Sequence, residues 1–179
     1  MRLKKQRYIL VVQDDEIKTR YDYTYDGYDE LYGLEQWRKY DFLFSIVLPN
    51  GIVADIGCGT GLLIEYFYNK GLLNKVSKFY CLDYSENMLK IAQRKILKLC
   101  KNKCIALLGN AELLPFKNKS IDFLFSISVI NLIDNYEKAI NEFRRVSKNA
   151  FVSSIKKLRQ VNINGKLIGE DDKDLFYWL

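Results

Sequence analysis

The chain has 179 residues, of which 49% are hydrophobic and 28% charged, a composition typical of one globular domain and not of a disordered or fibrous chain. Lys and Arg together number 28 and Asp and Glu 22, so the net charge is +6, which is compatible with an anionic partner such as RNA but not diagnostic of one. The chain contains no histidine, which excludes Ser-His-Asp and Cys-His catalysis, His-ligated zinc and a histidine general base.

Residues 1–48 differ in pattern from the rest of the chain and are assigned to an N-terminal extension. A helix is predicted over about residues 34–44, after a tyrosine-rich stretch that contains Tyr21, Tyr23, Tyr25, Tyr28 and Tyr32. The basic residues 1–7 precede an apolar run that is too short for a signal peptide, and no stretch approaches the ~18 apolar residues of a membrane span. We therefore expect a soluble, cytoplasmic protein.

From position 52 onward, short apolar runs alternate with longer amphipathic segments, which indicates βαβ units in a mostly parallel sheet. Helices are predicted at 60–70, 85–100 and 136–148, and strands at 52–55, 79–83, 104–108, 121–126, 150–153, near 167–168 and at 175–179. Residues 49–179 thus form the predicted α/β core.

The helix over 85–100 begins at Ser85, a residue type favoured at helix N-caps. Four apolar side chains with helical spacing are expected to face the sheet, namely Leu89, Ala92, Ile96 and Leu99. A basic stripe lies on another face and consists of Lys90, Arg94, Lys98 and Lys101. Such a stripe is typical of a solvated helix face, with nucleic-acid binding as the alternative.

The chain has four cysteines, at positions 58, 81, 100 and 104, which are too few and too unevenly spaced for a secreted disulfide scaffold. Cys100 and Cys104 have neither a second cysteine pair nor a histidine with which to complete a tetrahedral metal site. We expect the cysteines to be small apolar core residues in a reducing interior, and no metal site.

The segment 55–61, Asp-Ile-Gly-Cys-Gly-Thr-Gly, lies between a predicted strand and a predicted helix, where glycines allow a sharp turn and a close approach to a ligand. Its GxGxG spacing differs from the GxGxxG of dinucleotide-binding turns, which argues for a ligand without a pyrophosphate. An acid at Asp55 suits a cationic ligand better than a phosphate. Asp83, at the end of the next strand, is placed to accept hydrogen bonds from a ribose diol.

Four segments, 53–61, 82–85, 109–116 and 120–126, together resemble the class I S-adenosylmethionine-dependent methyltransferases, and in particular their small type 11-like members. The resemblance covers about residues 52–154, with the motifs in the right order and spacing. It implies a Rossmann-like, doubly wound sheet of seven strands with one antiparallel strand near the C-terminus. It also implies S-adenosylmethionine as the cofactor.

The same resemblance implies a set of cofactor-binding residues. The glycine turn would hold the methionine and ribose side through Asp55, Gly57, Cys58, Gly59 and Gly61. The ribose and adenine would then meet Asp83, Tyr84, Asn110 and Ala111, with Asn110 standing where similar sequences often carry Asp. The segment 28–40 resembles the lid helix that precedes the core in many of these enzymes and covers the cofactor. The remaining candidates are Tyr28 and Tyr32 on that helix, and Ser126 at the end of the fourth core strand.

Methyl transfer from a sulfonium is an in-line displacement that rests largely on proximity and orientation, which suits a chain without histidine. No catalytic residue is assigned, although Ser126, Ser128 and Asn131 lie near the end of the fourth core strand. The segment 126–129 is not the Asn/Asp-Pro-Pro-Tyr/Phe motif of related enzymes that methylate amide or exocyclic amino nitrogens. Glutamine and adenine N6 are therefore less expected as targets.

The acceptor is left open between a small molecule and a large partner such as RNA, a ribosome or a protein, and an activator subunit is a further hypothesis. The alternative function is a binding module with a degenerate methyltransferase fold. An NAD-type oxidoreductase is disfavoured by the GxGxG spacing and by the acid before the glycines.

Overall fold

The computed structural model describes residues 27–100 and 102–179. The basic N-terminus, Tyr21, Tyr23, Tyr25 and Lys101 lie outside the described residues. In chain order the main elements are α1 (Tyr28–Ile46), β1 (Gly51–Ile56), α2 (Leu62–Asn69), β2 (Val76–Asp83), α3 (Glu86–Leu99), β3 (Cys104–Leu108), β4 (Ile121–Ser126), α4 (Tyr136–Val146), β5 (Ser147–Ile155), β6 (Lys166–Glu170) and β7 (Asp174–Trp178), with short 3₁₀ helices at Leu72–Lys75 and Ile130–Leu132.

The strands form one seven-stranded sheet in the order β3-β2-β1-β4-β5-β7-β6. Strands β1 to β5 pair in parallel, whereas β7 lies antiparallel between β5 and β6. The predicted α/β fold, a mostly parallel Rossmann-like sheet with one antiparallel strand near the C-terminus, is confirmed. Strand β1 lies between β2 and β4, so the direction of winding reverses there, and a ligand crevice is expected at the carboxyl ends of these strands.

Successive side chains of the central strands enter two apolar cores, one on each face of the sheet. Val53 and Phe125 lie in the core beneath α1, α2 and α3, whereas Ala54 and Leu124 lie in the core beneath α4. Because β1 and β4 pack against an apolar core on each face, their sequences are almost continuously apolar.

Helix α3 begins as predicted, because the Ser85 hydroxyl accepts a hydrogen bond from the Met88 amide. Helix α1 begins at Tyr28, six residues before its predicted start. Its buried face has helical spacing but includes Gly33, Gln36 and Lys39, so it does not form the apolar stripe by which a helix is recognised in a sequence. No helix in the described parts of the chain is both long and apolar enough to cross a membrane.

Cys58, Cys81 and Cys104 are buried core residues as predicted, but the expectation of reduced thiols is wrong for one pair of cysteines. Cys58 and Cys81 are buried and carry free thiols. Cys100 and Cys104 instead form a disulfide, which is at odds with the expected reducing interior. The turn after α3 brings their Cα atoms to 5.7 Å, within the range that a disulfide spans.

A buried ion pair joins α1 to the last strand. The Lys39 ammonium lies 3.0 Å from the Asp174 carboxylate, and the two side chains are only 2% and 0% exposed. The same ammonium lies 2.8 Å from Glu35 and donates to the Ser128 hydroxyl at 2.8 Å. The second Asp174 oxygen accepts hydrogen bonds from Ser128 and Ser153. These contacts fix α1 against the edge of the sheet where the crevice is expected.

Replacement of Lys39 by Met would leave the Asp174 carboxylate buried without its cation. We expect Lys39→Met to lower the free energy of unfolding by about 3–5 kcal/mol, measured by urea denaturation. Lys70→Met is the matched control, because Lys70 and Asp41 form an ion pair whose side chains are 45% and 54% exposed. Such exposed pairs contribute about 0–1 kcal/mol. A loss for Lys39→Met no larger than that of the control would contradict a structural role for the buried pair.

Candidate functional site

A cleft of about 260 Å³ opens at the carboxyl ends of β1, β2 and β4. Its walls come from α1, the glycine turn after β1, the end of β2 and the loops that follow β3 and β4. This is the position at which the reversal of strand order leaves a crevice for a ligand.

The glycine turn is held by backbone hydrogen bonds to the end of β2. The amides of Gly57 and Cys58 donate to the Leu82 carbonyl at 2.8 and 3.1 Å. Gly57 has a φ of +76°, and a Cβ there would lie 2.5 Å from a Val129 methyl group. Only glycine therefore fits at this point, where the turn passes beneath the loop after β4.

Asp83 connects the glycine turn to the start of α3. One carboxylate oxygen accepts from the Gly59 amide at 2.7 Å and the other from the Ser85 amide at 2.9 Å. Each carboxylate oxygen has a second lone pair, so Asp83 can also accept from a ligand in the cleft that it lines. Asp83 therefore lies where the sequence predicted a ligand-binding acid. It also stabilises the glycine turn and the start of α3.

Asp55 is a second carboxyl group in the cleft and is 5% exposed. Burial, together with the nearby Asp83 carboxylate, raises the pKa of Asp55 to about 8. Burial and the Asp55 carboxylate in turn hold the pKa of Tyr40 well above its usual value. A cation bound nearby would favour the ionised form of Asp55, which fits its predicted preference for a cationic ligand.

The loop after β3 is held in place by α4. Asn110 Oδ1 accepts from the Glu112 amide at 2.8 Å, which closes a tight turn. The Leu114 amide donates to Glu142 at 2.8 Å, and Arg145 donates to the Leu114 carbonyl at 3.0 Å. This arrangement presents Asn110 and its neighbour Ala111 to the cleft.

Most of the predicted cofactor-binding residues line this one cleft, namely Tyr28, Asp55, Gly57, Cys58, Gly59, Asp83, Tyr84, Asn110 and Ala111. Asp29 follows Tyr28 in the first turn of α1, and its carboxylate accepts from Thr60 at 2.5 Å and from Lys95 at 2.6 Å. The first turn of α1 is therefore tied to the glycine turn through Thr60 and to α3 through Lys95.

Three predicted residues do not line the cleft. Gly61 has a φ of +81° and lets α2 approach α3, since a Cβ there would lie 3.3 Å from Ala92. Tyr32 packs its ring 4.9 Å from that of Tyr28. Ser126 is fully buried, and its hydroxyl has no hydrogen-bond partner among the described residues. The roles of these three as cofactor ligands stay predictions.

Of the further residues near the end of β4, Ser128 lines the cleft and Asn131 does not. Asn131 instead donates to Ser154 at 3.1 Å and accepts from the Ile155 amide at 2.7 Å, so it supports β5. Ser128 has a φ of +63°, a conformation that is strained for a residue with a side chain. The contacts with Lys39 and Asp174 described above hold it there.

Gln36 and Tyr40 line the cleft from α1 and were not predicted as site residues. Their placement depends on packing between segments that are far apart in the chain. One feature of the sequence could have indicated them: Gln36 is polar but has the helical spacing of the residues that α1 buries. The apolar wall formed by Ile127, Val129, Leu132 and Ile133 was also missed.

The basic stripe on α3 does not contribute to the cleft. Lys90, Arg94 and Lys98 are exposed, and none of them lines it. Within residues 27–100 and 102–179, no group of three or more Cys, Asp and Glu side chains is placed to hold a metal ion.

The raised pKa of Asp55 predicts how stability changes with pH. A carboxyl group whose pKa is higher in the folded chain than in the unfolded one stabilises the fold at low pH, and that stability is lost as pH rises from about 4 to about 8. We expect the free energy of unfolding of the native chain, minus that of Asp55→Asn, to fall across this window and to level off above it. Denaturation at a series of pH values measures this difference, and a difference that rises with pH would contradict the assignment.

The comparisons with known proteins agree with this geometry. The family described as "Methyltransferase domain" matches residues 54–150, more than half of the chain. The fold is similar to that of a SAM-dependent methyltransferase from Aquifex aeolicus, with a TM-score of 0.68, 19% identity and coverage of 89% of this chain and 96% of that one. It is also similar to a chain in the solved complex that contains the Haloferax volcanii Trm112 methyltransferase activator, with a TM-score of 0.64, 19% identity and coverage of 74% and 59%.

Curated relatives include the uncharacterised protein MJ1252 of Methanocaldococcus jannaschii, which is 36% identical over 74% of this chain and 48% of its own length. A demethylmenaquinone methyltransferase of Leptospira interrogans is 36% identical over 54% of this chain and 38% of its own length. The chain thus spans about half or less of the length of these relatives. By the family match and by its fold, the chain belongs to the class I S-adenosylmethionine-dependent methyltransferases, whose cofactor is S-adenosylmethionine.

Proposed function

We propose that the chain transfers a methyl group from S-adenosylmethionine, bound in the cleft, to an acceptor that enters beside α1. The observation that carries this proposal is the pair of buried carboxyl groups, Asp55 and Asp83, on either side of a glycine turn in a methyltransferase fold. Because the pKa of Asp55 is raised to about 8, a positively charged ligand beside it would stabilise its ionised form. The cofactor carries two such groups, a sulfonium and an ammonium.

The residues of the cleft fit the parts of the cofactor. Asp83 would accept from the ribose hydroxyls, Asn110 and Ala111 would meet the adenine, and Asp55 would face the cationic methionine end. The bound cofactor supplies a methyl group on a positively charged sulfur, already activated for displacement. The chain itself would bind the cofactor, orient the acceptor and exclude water. The turns held by Asp83 and the buried face of α1 support this role.

No residue is assigned as a catalytic base. Asn131 is engaged with β5, and the Ser128 hydroxyl already donates to Asp174. Transfer that rests on orientation needs no strong base in the protein, provided that the acceptor atom is a good nucleophile or loses its proton to solvent.

The division of the chain into an N-terminal extension with a lid (1–48) and a cofactor-binding core (49–179) is part of this proposal. Helix α1 supports it, because Tyr28, Gln36 and Tyr40 line the cleft from outside the sheet. An activator subunit is a further proposal, supported by the fold similarity to a chain from the Trm112 complex.

Binding of S-adenosylhomocysteine, measured by isothermal titration, tests the cofactor assignment. We expect Asp83→Ala to weaken this binding by about 10- to 100-fold, because hydrogen bonds to a charged carboxylate would be lost. Asp122→Asn is the matched control, since Asp122 also accepts a backbone hydrogen bond, from Ile52 at 2.8 Å, but does not line the cleft.

An absence of binding heat for the native chain would overturn the proposed function. Cofactor binding with no methyl transfer into RNA, protein or small molecules of a cell extract would instead favour a binding module.

A further inference from the structure

The cleft is lined by acidic and not by basic side chains, although the chain as a whole is basic. The net charge of the chain is +6, yet no lysine or arginine is among the described residues that line the cleft. Four acidic residues do line it, namely Asp55, Asp83, Glu112 and Asp134. The excess of basic residues therefore says nothing in favour of an anionic acceptor at this site.

Two of these acids lie outside the predicted cofactor-binding set. Glu112 accepts from the Asn135 amide at 3.0 Å, and its nearest cation, Lys138, is 3.9 Å away. Asp134 is exposed, and its carboxylate has no hydrogen bond or ion pair within residues 27–100 and 102–179. A ligand that enters along this wall meets the Asp134 carboxylate, which no cation among the described residues pairs with.

Gln36 provides a second, independent observation. Its side chain is only 6% exposed and lines the cleft from α1. Its Nε2 donates to Ser128 at 3.4 Å, whereas its Oε1 has no hydrogen-bond partner among the described residues. A buried carbonyl oxygen without a partner is destabilising, and a ligand N–H group in the cleft would satisfy it.

The neighbouring Ser128 offers no additional donor. Its hydroxyl proton is used by Asp174, and its oxygen accepts from Lys39 and Gln36. The rest of this wall is apolar and includes Ile127, Val129, Leu132 and Ile133. The side chains of Gln36 and Asp134 can therefore accept hydrogen bonds from a ligand, while the surrounding surface favours a hydrophobic body.

We propose that the methyl acceptor is an amine with a hydrophobic body, an inference that rests on the proposed function. Such a ligand donates N–H bonds to Gln36 and is attracted as a cation by Asp134, whereas a polyanion such as RNA is repelled at the same wall. The bound ammonium group first loses a proton to solvent, and the lone pair of the resulting neutral amine nitrogen then forms the new N–C bond. The methyl–sulfur bond breaks with its electron pair left on sulfur, and the extra proton on nitrogen passes to solvent.

The test compares two probes with the same ring and opposite charge, tyramine and 4-hydroxyphenylacetate. Each is titrated by calorimetry into the full chain saturated with S-adenosylhomocysteine. We expect tyramine to bind at least tenfold more tightly. Equal or tighter binding of 4-hydroxyphenylacetate, or no binding of either probe, would overturn the inference.

Two variants locate the binding. We expect Asp134→Asn and Gln36→Leu each to weaken tyramine binding about three- to tenfold, and Asp134→Asn to leave S-adenosylhomocysteine binding unchanged. Glu137→Gln is the matched control for Asp134→Asn, since Glu137 is also an exposed acid of the same region but does not line the cleft. Thermal melts establish that Gln36→Leu is folded. Equal tyramine affinity in both variants and the native chain would place the probe elsewhere and contradict the proposal.

A second readout is the transfer of a labelled methyl group to tyramine and, in parallel, to total cellular RNA. Label in tyramine supports the inference, and label in RNA with none in tyramine overturns it. The proposed function and the amine acceptor can each fail without the other being tested by the same result. A chain that does not bind S-adenosylhomocysteine has lost the proposed function, whereas one that binds it but not tyramine has lost only the amine acceptor.

Discussion

The arrangement of the cleft depends on one buried ammonium group, that of Lys39. It pairs with Asp174 at the start of the last strand, and it donates to Ser128 in the loop after β4. Two charges that are almost fully buried are stable only when they are paired and hydrogen-bonded, so this contact admits one position of α1 against the sheet. That position brings Gln36 and Tyr40 to the cleft and holds Ser128 in its strained conformation.

A second constraint comes from the parallel sheet. Because β1 and β2 run in the same direction and are neighbours, the acids Asp55 and Asp83 meet at one edge of the sheet. Asp83 is held by the amides of Gly59 and Ser85, whereas burial beside Asp83 raises the pKa of Asp55 to about 8. A cationic ligand in the cleft would favour the ionised form of Asp55.

The parts of the fold that could be predicted from the sequence are those governed by local physics. The strands, the N-cap at Ser85 and the glycine turn all follow from patterns within a few residues. The start of α1 could not be predicted, because Lys39 and Gln36 are buried by partners far along the chain. Gly61 shows the same limit within a motif, since it serves helix packing and does not line the cleft. The disulfide between Cys100 and Cys104 depends on the path of a turn that no motif specifies.

Net charge was the least informative property of the sequence, because the basic stripe of α3 and the acidic wall of the cleft lie apart. The central claim is that this cleft holds S-adenosylmethionine. A crystal structure of the chain with S-adenosylhomocysteine tests it most directly. The account predicts the ribose hydroxyls within hydrogen-bond distance of Asp83 and the amino-acid end of the ligand beside the glycine turn near Asp55. A ligand bound elsewhere on the chain, or an empty cleft at saturating ligand, would contradict it.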